Sequence, residues 1–238
     1  MSRSAEPNNR IHGQSASDSR ERRTLVRVLL LGVPLAAAIF CLLPNVGPVF
    51  RLFNTPSTAM APTLRLGGYF VVSRASYGLS RYSFDWFELP IEGRIPALAP
   101  RRGDVVVFRL PSDLATFYAK RVIGLPGDRV QMRGGRLAIN GNLVAREATE
   151  SVKDPFGEKG EVATYVERLP EGVSYRIIER DGDEGFLDTT DKFQVPPGHL
   201  FMMGDNRDNS TDSRLSTEKH GVGLVPIELV LGRVIASF

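Results

Sequence analysis

An unbroken run of uncharged residues, 28–50, constrains the fold of this chain more than any other feature. Arg27 and Arg51 flank the run on its two sides. In a helix these 23 residues would rise about 34 Å, enough to cross a hydrocarbon core about 30 Å thick. Because apolar residues occupy every face, a helix buried on one side of a soluble core explains the run poorly. The sequence therefore predicts one transmembrane helix within residues 24–50.

Prolines and small residues modify this prediction in two places. Pro34 is tolerable inside a membrane helix, whereas Pro44 and the residues after it weaken the pattern, so regular helix is expected mainly over 25–43. Ala36-Ala37-Ala38 also offers the small residues of a cleavable signal peptide, which is the alternative interpretation. The long segment before the run, and its continuation beyond the alanines, favour a permanent anchor.

The charge distribution sets the expected orientation of the anchor. Residues 1–27 contain six arginines and three acidic residues and so carry +3, while the 24 basic and 24 acidic residues of the remainder cancel. Since positively charged flanks stay in the cytoplasm, we expect residues 1–23 to form a disordered, basic cytoplasmic tail and residues 51–238 to lie outside the cytoplasm. A neutral exported part gives no indication of nucleic-acid binding.

Beyond Arg51 the sequence predicts a mostly β fold. Short alternating or apolar runs lie between glycines and prolines, and the sequence has no long amphipathic helical pattern and no internal repeat. Gly134-Gly135 is typical of a two-residue hairpin turn, and 227–230 of a single helical turn. Strands are expected at 69–73, 104–109, 118–124, 129–132, 136–140, 173–179, 200–203 and 230–236.

Two stretches interrupt this β pattern. Residues 78–100 concentrate aromatic side chains around Trp86, which either fold back into the core or rest in the membrane interface, where Trp and Tyr are favoured. Residues 141–195 are more charged and rich in turn residues. We interpret them as an inserted cap subdomain made of small β strands.

Four short segments concentrate the residues that can carry chemistry. In the third segment Lys120 lies among apolar strand residues, and burial there would lower the pKa of its amine and produce a general base. From this segment alone, an exposed strand-edge lysine beside Arg121 is the simpler interpretation. The four segments are 55–64 (TPSTAMAPTL), 101–108 (RRGDVVVF), 118–128 (YAKRVIGLPGD) and 204–214 (GDNRDNSTDSR).

The sequence predicts neither a metal nor a cofactor. The fourth segment is rich in Asp, Asn and Ser, which is typical of a tight turn, and as a calcium loop it lacks the central glycine and the closing glutamate of an EF-hand. His12, His199 and His220 show no metal-ligand spacing. Cys41 is the single cysteine, so no intrachain disulfide can form.

In this order, behind an N-terminal apolar run, the four segments resemble the characteristic boxes of type I signal peptidases, membrane-anchored serine proteases with a Ser/Lys dyad. The resemblance covers roughly residues 50–235, and each box alone is a weak signal. It implies a mostly β catalytic core with a small β cap, held outside the bacterial plasma membrane. It also implies removal of signal peptides from exported preproteins, with small residues at positions −1 and −3 before the cut.

The resemblance assigns a role to individual residues of these boxes. The implied roles are general base for Lys120, oxyanion-hole hydroxyl for Ser57, orientation of the lysine for Ser210, a supporting salt bridge for Asp212 and Arg214, and substrate contact for Met60 and Pro62.

One residue departs from the family pattern. The nucleophilic serine of the first box corresponds to Ala59, so the chain reads Pro-Ser-Thr-Ala-Met where the family has Pro-Ser-x-Ser-Met. Alanine has no hydroxyl to deprotonate, and loss of a nucleophile lowers kcat by about 10⁶-fold. Ser57 lies ~6–7 Å further along an extended strand and Thr58 points in another direction, so neither is expected to substitute. The chain is therefore predicted to be inactive.

Several interpretations of the chain stay open at this stage. One interpretation is a deliberate replacement of serine, made to prevent autolysis or trap a substrate, which the intact Lys120, Ser57, Ser210 and Asp212 favour. Alternatively the chain is a natural homologue that binds signal peptides without cutting them, or a specialised relative for one substrate such as a pilin precursor. The expected partners are signal peptides and the lipid bilayer, and the sequence indicates no oligomeric state.

Overall fold

The computed structural model of the chain describes residues 28–42, 49–84 and 88–238. A π-helical turn, Val28–Gly32, leads into helix α1, Val33–Leu42. Within the described ranges, no helix has the length and apolarity needed to cross a membrane. The predicted basic tail, residues 24–27 and 43–48 of the predicted anchor, and Trp86 all lie outside the described residues.

The remainder of the described chain is mostly β, as the sequence predicted, and each pair of named strands is antiparallel. The strands are β1 (Phe50–Asn54), β2 (Tyr69–Ser73), β3 (Leu79–Ser80), β4 (Arg94–Ile95), β5 (Val105–Leu110), β6 (Asp113–Gly124), β7 (Arg129–Arg133), β8 (Arg136–Ile139), β9 (Asn142–Leu143), β10 (Ala145–Lys153), β11 (Glu161–Arg168), β12 (Ser174–Glu179), β13 (Phe193–Gln194), β14 (His199–Met203), β15 (Val225–Pro226) and β16 (Val230–Ser237). Short 3-10 turns cover Arg74–Tyr77, Gly182–Glu184, Arg207–Asn209, Thr217–Lys219 and Ile227–Leu229.

A large sheet carries the fold, with strand order β1-β2-β16-β5-β6-β14-β15. Beside it lie a four-stranded sheet (β13-β7-β8-β9), a three-stranded sheet (β10-β11-β12) and the small β3-β4 pair. Ile123 and Phe201 of the large sheet pack with Val130, Leu137 and Ile177 from the next two sheets in one buried cluster. Since burying each such side chain stabilises by about 1.5–3 kcal/mol, this shared core holds the three sheets together.

Several predicted features are confirmed by the backbone. The strand expected at 69–73 is β2, and the turn expected near 227 is the 3-10 turn that precedes β16. Gly134 and Gly135 have φ values of 53° and 70° and connect the paired residues Arg133 and Arg136. Positive φ at both central positions is the requirement of the tight hairpin turn that the sequence predicted.

One predicted boundary is wrong, and one hairpin was not predicted. Phe50, expected to end the anchor, instead begins β1, which pairs with β2 at the edge of the large sheet through Phe50 and Ser73. In the predicted cap, β10 and β11 pair over a long hairpin that the sequence prediction omitted. Most side chains of β10 are exposed, so this strand lacks the apolar alternation from which strands are recognised.

The aromatic stretch 78–100 turns inward where the structure describes it. Tyr82 packs against the buried cluster of the large sheet, and Phe84 is half-buried with the Arg74 guanidinium 5.8 Å from its ring. These two residues follow the core alternative, whereas Trp86 and Phe87 lie outside the described residues.

A buried arginine ties this stretch to the large sheet. The guanidinium of Arg94, on β4, is 8% exposed, and burial lowers its pKa to about 10. The Arg94 guanidinium donates to main-chain carbonyls near β3 and near the start of β16. The acceptors are the carbonyl oxygens of Tyr77 (2.9 Å), Gly78 (2.9 Å), Ile227 (3.1 Å), Glu228 (3.4 Å) and Val230 (2.8 Å).

We expect Arg94→Met to destabilise the fold by about 3 kcal/mol, because buried carbonyls that lose their donor cost roughly 1–3 kcal/mol each and some regain water. The midpoint of thermal unfolding should fall by about 6–12 °C. The exposed Arg101 offers a control, and Arg101→Met should change stability by less than about 0.5 kcal/mol. Equal melting temperatures for the two variants would contradict the role given to Arg94.

Candidate active site

Lys120 lies where the pairing between β6 and β14 ends. This residue lies on β6 opposite Val106 of β5, and on its other side β14 pairs with β6 as far as Met203, opposite Arg121. The chain therefore leaves the sheet at Gly204, directly beside Lys120. The fourth segment, 204–214, then turns back over the lysine.

Lys120 is buried and bonded to one hydroxyl of that segment. Its side chain is 3% exposed, and its Nζ donates a hydrogen bond of 2.7 Å to Ser210 Oγ. Burial lowers the pKa of the Lys120 amine to about 8, although the charge of Asp212 acts to raise it. The structure thus excludes the exposed strand-edge interpretation. An amine with this pKa is partly neutral near physiological pH and can accept a proton.

Gly204 allows the first and fourth segments to approach each other. A Cβ atom at this position would collide with the Ser210 side chain and with the carbonyl oxygen of Ala59. The amide of Gly204 donates to Asp212 Oδ2 at 3.1 Å. Only a residue without a side chain fits between these groups, so Gly204 brings Ser210 and Ala59 to the same place.

The predicted salt bridge between Asp212 and Arg214 is present and fully buried, with Nη2 to Oδ2 at 2.9 Å. Burial acts to raise the pKa of Asp212, but the Arg214 charge and hydrogen bonds outweigh it and the pKa is lowered. Arg214 also donates to the carbonyl oxygen of Arg207 at 2.6 Å. The pair therefore fixes both ends of the turn that leads to Ser210, and its effect on catalysis stays a prediction.

Two asparagines that the sequence interpretation left without a role hold the first segment. The main-chain amide of Asn206 donates to the carbonyl oxygen of Ala59 at 3.1 Å. Its side-chain Nδ2 donates to the carbonyl oxygen of Thr58 at 3.3 Å. Asn209 Nδ2 donates to the Thr58 hydroxyl at 2.6 Å. Both lie within the fourth segment, whose Asp- and Asn-rich composition predicted side-chain bonds to a backbone but did not indicate which one.

A second buried ion pair joins the first, third and fourth segments. Arg121 donates to both carboxylate oxygens of Asp205, at 2.8 and 2.6 Å. Thr63 Oγ1 donates to the same carboxylate at 2.5 Å. The Arg121 guanidinium also lies 4.1 Å from the ring centroid of Tyr175. Arg121 is the residue after Lys120, the predicted base. Because successive side chains of a strand point to opposite faces, Arg121 lies on the other side of the sheet.

Lys120 and Ala59 line one cavity of about 810 Å³. Ser57 is exposed at its edge, Thr58 and Met60 are buried in its wall, and Pro62 is not among the lining residues. Much of the remaining wall is apolar, with polar groups near the lysine. This remaining wall includes Phe53, Leu64, Leu66, Phe70, Val107, Phe117, Tyr118, Phe156, Asn209 and Thr211.

This arrangement offers a proton acceptor beside a peptide-sized apolar cavity. The side chain at position 59 has no hydroxyl, and the Thr58 hydroxyl is engaged by Asn209. Lys120 and Ala59 thus line the same cavity, and a side chain without a hydroxyl at position 59 cannot form an acyl-enzyme.

Comparison with known proteins gives a consistent family. A family model described as signal peptidase, peptidase S26, matches residues 25–238. Signal peptidase I of Pseudomonas aeruginosa is 38% identical over 189 residues, which is 77% of this chain and 63% of the relative. Signal peptidase I of Rickettsia canadensis is 38% identical over 187 residues, 76% of this chain and 68% of the relative. The chain thus spans less than two thirds of the length of the Pseudomonas relative.

One solved structure is also similar. The crystal structure of a signal peptidase I from Enterococcus faecalis is 28% identical and covers 58% of this chain and 97% of that chain, with a TM-score of 0.34. That score is too low for the two folds to be compared element by element.

The buried lysine predicts an unusual pH dependence of stability. Lys120 has a pKa of about 8 in the folded chain against an ordinary 10.5, so at pH 7 both states hold the proton and the folded state bears the full cost of burying the charge. Above pH 8 the unfolded chain binds more protons, and the free energy of unfolding rises up to about pH 10.5. Lys120→Met should stabilise the chain by about 2–3 kcal/mol at pH 7, and by less at pH 10. Urea unfolding at both pH values measures this difference.

Lys153→Met is the matched control, because Lys153 is exposed on β10. It should give the same stability difference from the unmodified chain at both pH values. A Lys120→Met variant whose stability difference is independent of pH would show that the lysine amine is not desolvated in the folded chain.

Proposed function

The chain belongs to the signal peptidase (peptidase S26) family, and from this premise we propose that its cavity binds the cleavage region of signal peptides of exported preproteins. We further propose that the chain does not cut them, because Ala59 occupies the position of the nucleophile. The serine endopeptidase activity of the family is then latent in this scaffold.

The observation that carries the proposal is the buried Lys120 amine, which is bonded to Ser210 and lines the same cavity as Ala59. With a hydroxyl at position 59, the neutral Lys120 amine would take its proton as the oxygen attacks the peptide carbonyl carbon. The resulting ammonium would give that proton to the departing amine. Ser57 lies at the cavity edge, where its hydroxyl would stabilise the oxyanion.

The shape and chemistry of the cavity support a peptide substrate with an apolar stretch. Phe53 stacks on Phe70 at 5.6 Å and meets the edge of Phe117 at 5.7 Å, forming a rigid aromatic wall. Met60, whose thioether adapts to different shapes, is buried in the same wall. Such a wall favours apolar residues of the bound peptide, and the preference for small side chains at positions −1 and −3 is part of the same proposal.

Membrane anchoring is the second part of the proposal. Apolar side chains of the helical segment are exposed, including Leu31, Val33, Leu35 and Ile39. Exposed apolar side chains around a helix suit lipid better than water. We place the basic N-terminus in the cytoplasm and residues 51–238 outside the bacterial inner membrane, with one crossing between them.

The proximity of anchor and cavity in the chain supports this placement. β1 begins eight residues after α1 ends, and its residues Arg51, Phe53 and Asn54 form part of the cavity wall. A cavity built partly from the segment next to an anchor stays close to the bilayer, where a preprotein would present its cleavage site.

A second candidate function is that of a natural signal-peptide-binding protein without protease activity. The bonds that Asn206 and Asn209 make to the main chain and side chain of the first segment favour it, because they hold the segment in place with no serine at position 59. A specialised relative for one substrate, such as a pilin precursor, differs only in its substrate range, which a panel of preproteins would reveal.

Ala59→Ser should convert the chain into an active signal peptidase, with a gain in kcat of about 10⁴–10⁶-fold over the unmodified chain. Activity should rise with pH through about 8, since Lys120 must be neutral to accept the proton. The measurement is cleavage of a purified preprotein by the full chain in detergent. Adding Lys120→Ala to this variant should abolish the gain.

Ala119→Ser is the matched control, since Ala119 also lines the cavity and receives the same added hydroxyl. It should leave the chain inactive. A folded Ala59→Ser variant that binds signal peptides but cuts none of them would reject the latent protease and leave the binding protein.

The proposed topology is tested through the charges before the anchor. Replacing Arg20, Arg22, Arg23 and Arg27 by asparagine should lower the fraction of chains with an exported C-terminus, because these charges hold the N-terminus in the cytoplasm. A C-terminal reporter that works only outside the cytoplasm measures that fraction. Replacing the same residues by lysine keeps the charge and should change nothing, whereas equal losses in both sets would refute the assignment.

A further inference from the structure

Three carboxylates away from the cavity meet where the cap joins the fourth segment. Glu179 ends β12, Asp188 lies in the loop before β13, and Asp208 belongs to the turn Arg207–Asn209. One oxygen atom from each side chain lies within 4.8 Å of those of the other two. We call Glu179, Asp188 and Asp208 the carboxylate cluster.

Two members of the carboxylate cluster are buried without full hydrogen bonding. Glu179 is 1% exposed and Asp188 is 2% exposed. Among the described residues no donor bonds either carboxylate oxygen of Glu179 or the Oδ1 atom of Asp188. Buried carboxylates are normally bonded to donors or bound to a metal, so these oxygen atoms lack the hydrogen-bond donor or metal that their burial requires.

The nearest arginines are committed to other acceptors. Arg146 Nη1 is 3.8 Å from Glu179 Oε1, beyond hydrogen-bonding distance, and its two terminal nitrogens donate to Asp183 at 2.8 and 2.7 Å. Arg207 directs both terminal nitrogens at Glu167. The positive charges of these guanidinium groups reduce the repulsion among the three carboxylates. Neither guanidinium donates a hydrogen bond to Glu179.

Main-chain amides hold the other two carboxylates in position. The Gly185 amide donates to Asp188 Oδ2 at 2.6 Å, and the Asp181 amide donates to Asp208 Oδ2 at 2.7 Å. A Cβ atom at Gly185 would collide with Asp208, so a glycine lets this loop close over the cluster. Each aspartate is thus anchored through one oxygen before any ligand arrives.

We propose that Glu179, Asp188 and Asp208 bind one calcium ion between the cap and the fourth segment. All three side chains offer oxygen only, which suits hard divalent cations and not the nitrogen- and sulfur-seeking transition metals. Three side chains from a strand end, a loop and a 3-10 turn form an irregular set, which calcium accepts more readily than magnesium because magnesium demands a near-octahedral shell. Water and main-chain oxygen atoms complete such shells in other proteins.

The bound ion acts as a clamp on the turn that positions the site. Asp208 directly precedes Asn209, which bonds the Thr58 hydroxyl, and Ser210, which accepts from Lys120. Ile178, next to Glu179, donates its amide to Asp205 O at 2.9 Å. The ion would reinforce this main-chain contact between the cap and the fourth segment. The site was missed in the sequence because its ligands come from three segments and match no continuous calcium loop.

The test uses the full chain in detergent, treated with a chelator and dialysed, then titrated with calcium chloride. We expect one binding event per chain with Kd on the order of 10⁻⁴–10⁻³ M, in the range of extracellular calcium modules. At ten times Kd the melting temperature should rise by about 3–6 °C. Magnesium chloride at the same concentration should give a smaller rise.

The variants Glu179→Gln and Asp208→Asn remove one ligand charge each while keeping the side-chain shape, and both should lose the calcium-dependent rise. Glu184→Gln makes the same change at an exposed position of the neighbouring turn and should keep the rise. Asp208 is only half-buried, so Asp208→Asn decides the outcome if Glu179→Gln fails to fold.

Burial raises the pKa of Glu179 to about 9, so a bound proton is the competing explanation for its unbonded oxygens. A chain whose melting temperature does not respond to calcium would favour the proton and overturn the proposal. A calcium response of equal size in Asp208→Asn and Glu184→Gln would overturn it as well, since the ion would then bind elsewhere. Both readouts are independent of proteolysis, so they stand whether or not the chain cuts signal peptides.

Discussion

The contact between the buried Lys120 amine and the Ser210 hydroxyl depends on most of the structure around it. Burying an amine away from solvent is costly. The Lys120 amine is buried because it lies on a strand that is covered on both sides. The large sheet supplies that strand, and the end of the β14 pairing at Met203 frees the chain that covers the lysine. Gly204, the asparagines of the turn and the Asp212–Arg214 pair then bring the covering segment to one defined place.

Sequence patterns predicted the parts of this arrangement that are local. The spacing of apolar residues predicted β2, and Gly134-Gly135 predicted the hairpin between β7 and β8, because both features depend on neighbours in the chain. The order of the four segments indicated the family and therefore Lys120, Ser210 and the Asp212–Arg214 pair. The long hairpin of β10 and β11 was missed because its charged, solvent-facing side chains carry no apolar period.

The other features that were not predicted are contacts between distant segments. The sequence predicted that Asn206 and Asn209 belong to a tight turn, but their acceptors on Thr58 and Ala59 lie far away in the sequence. The carboxylate cluster is of the same kind, since Glu179, Asp188 and Asp208 meet only after the cap has folded onto the fourth segment. A single sequence shows which side chains can bond, whereas their partners are chosen by the fold.

The cap and the fourth segment also share a buried charge network. Arg207 is fully buried and binds Glu167 of β11, which accepts a further bond of 2.7 Å from the Tyr175 hydroxyl on β12. Removing one partner of such a network costs about 3–5 kcal/mol, because the remaining charge stays buried. The cap is thereby coupled to the turn before Ser210, and its folding is part of the construction of the site.

The five carbonyl bonds of Arg94 have a consequence for how this fold can vary in length. They close the segment between Tyr77 and Arg94 at its base, next to the start of β16. Residues added to such a closed loop, away from the packed Tyr82 and Phe84, mainly change its closure entropy, and doubling the loop costs about 0.6 kcal/mol. This segment is therefore a place where the chain can gain or lose residues with little effect on the sheet that carries Lys120.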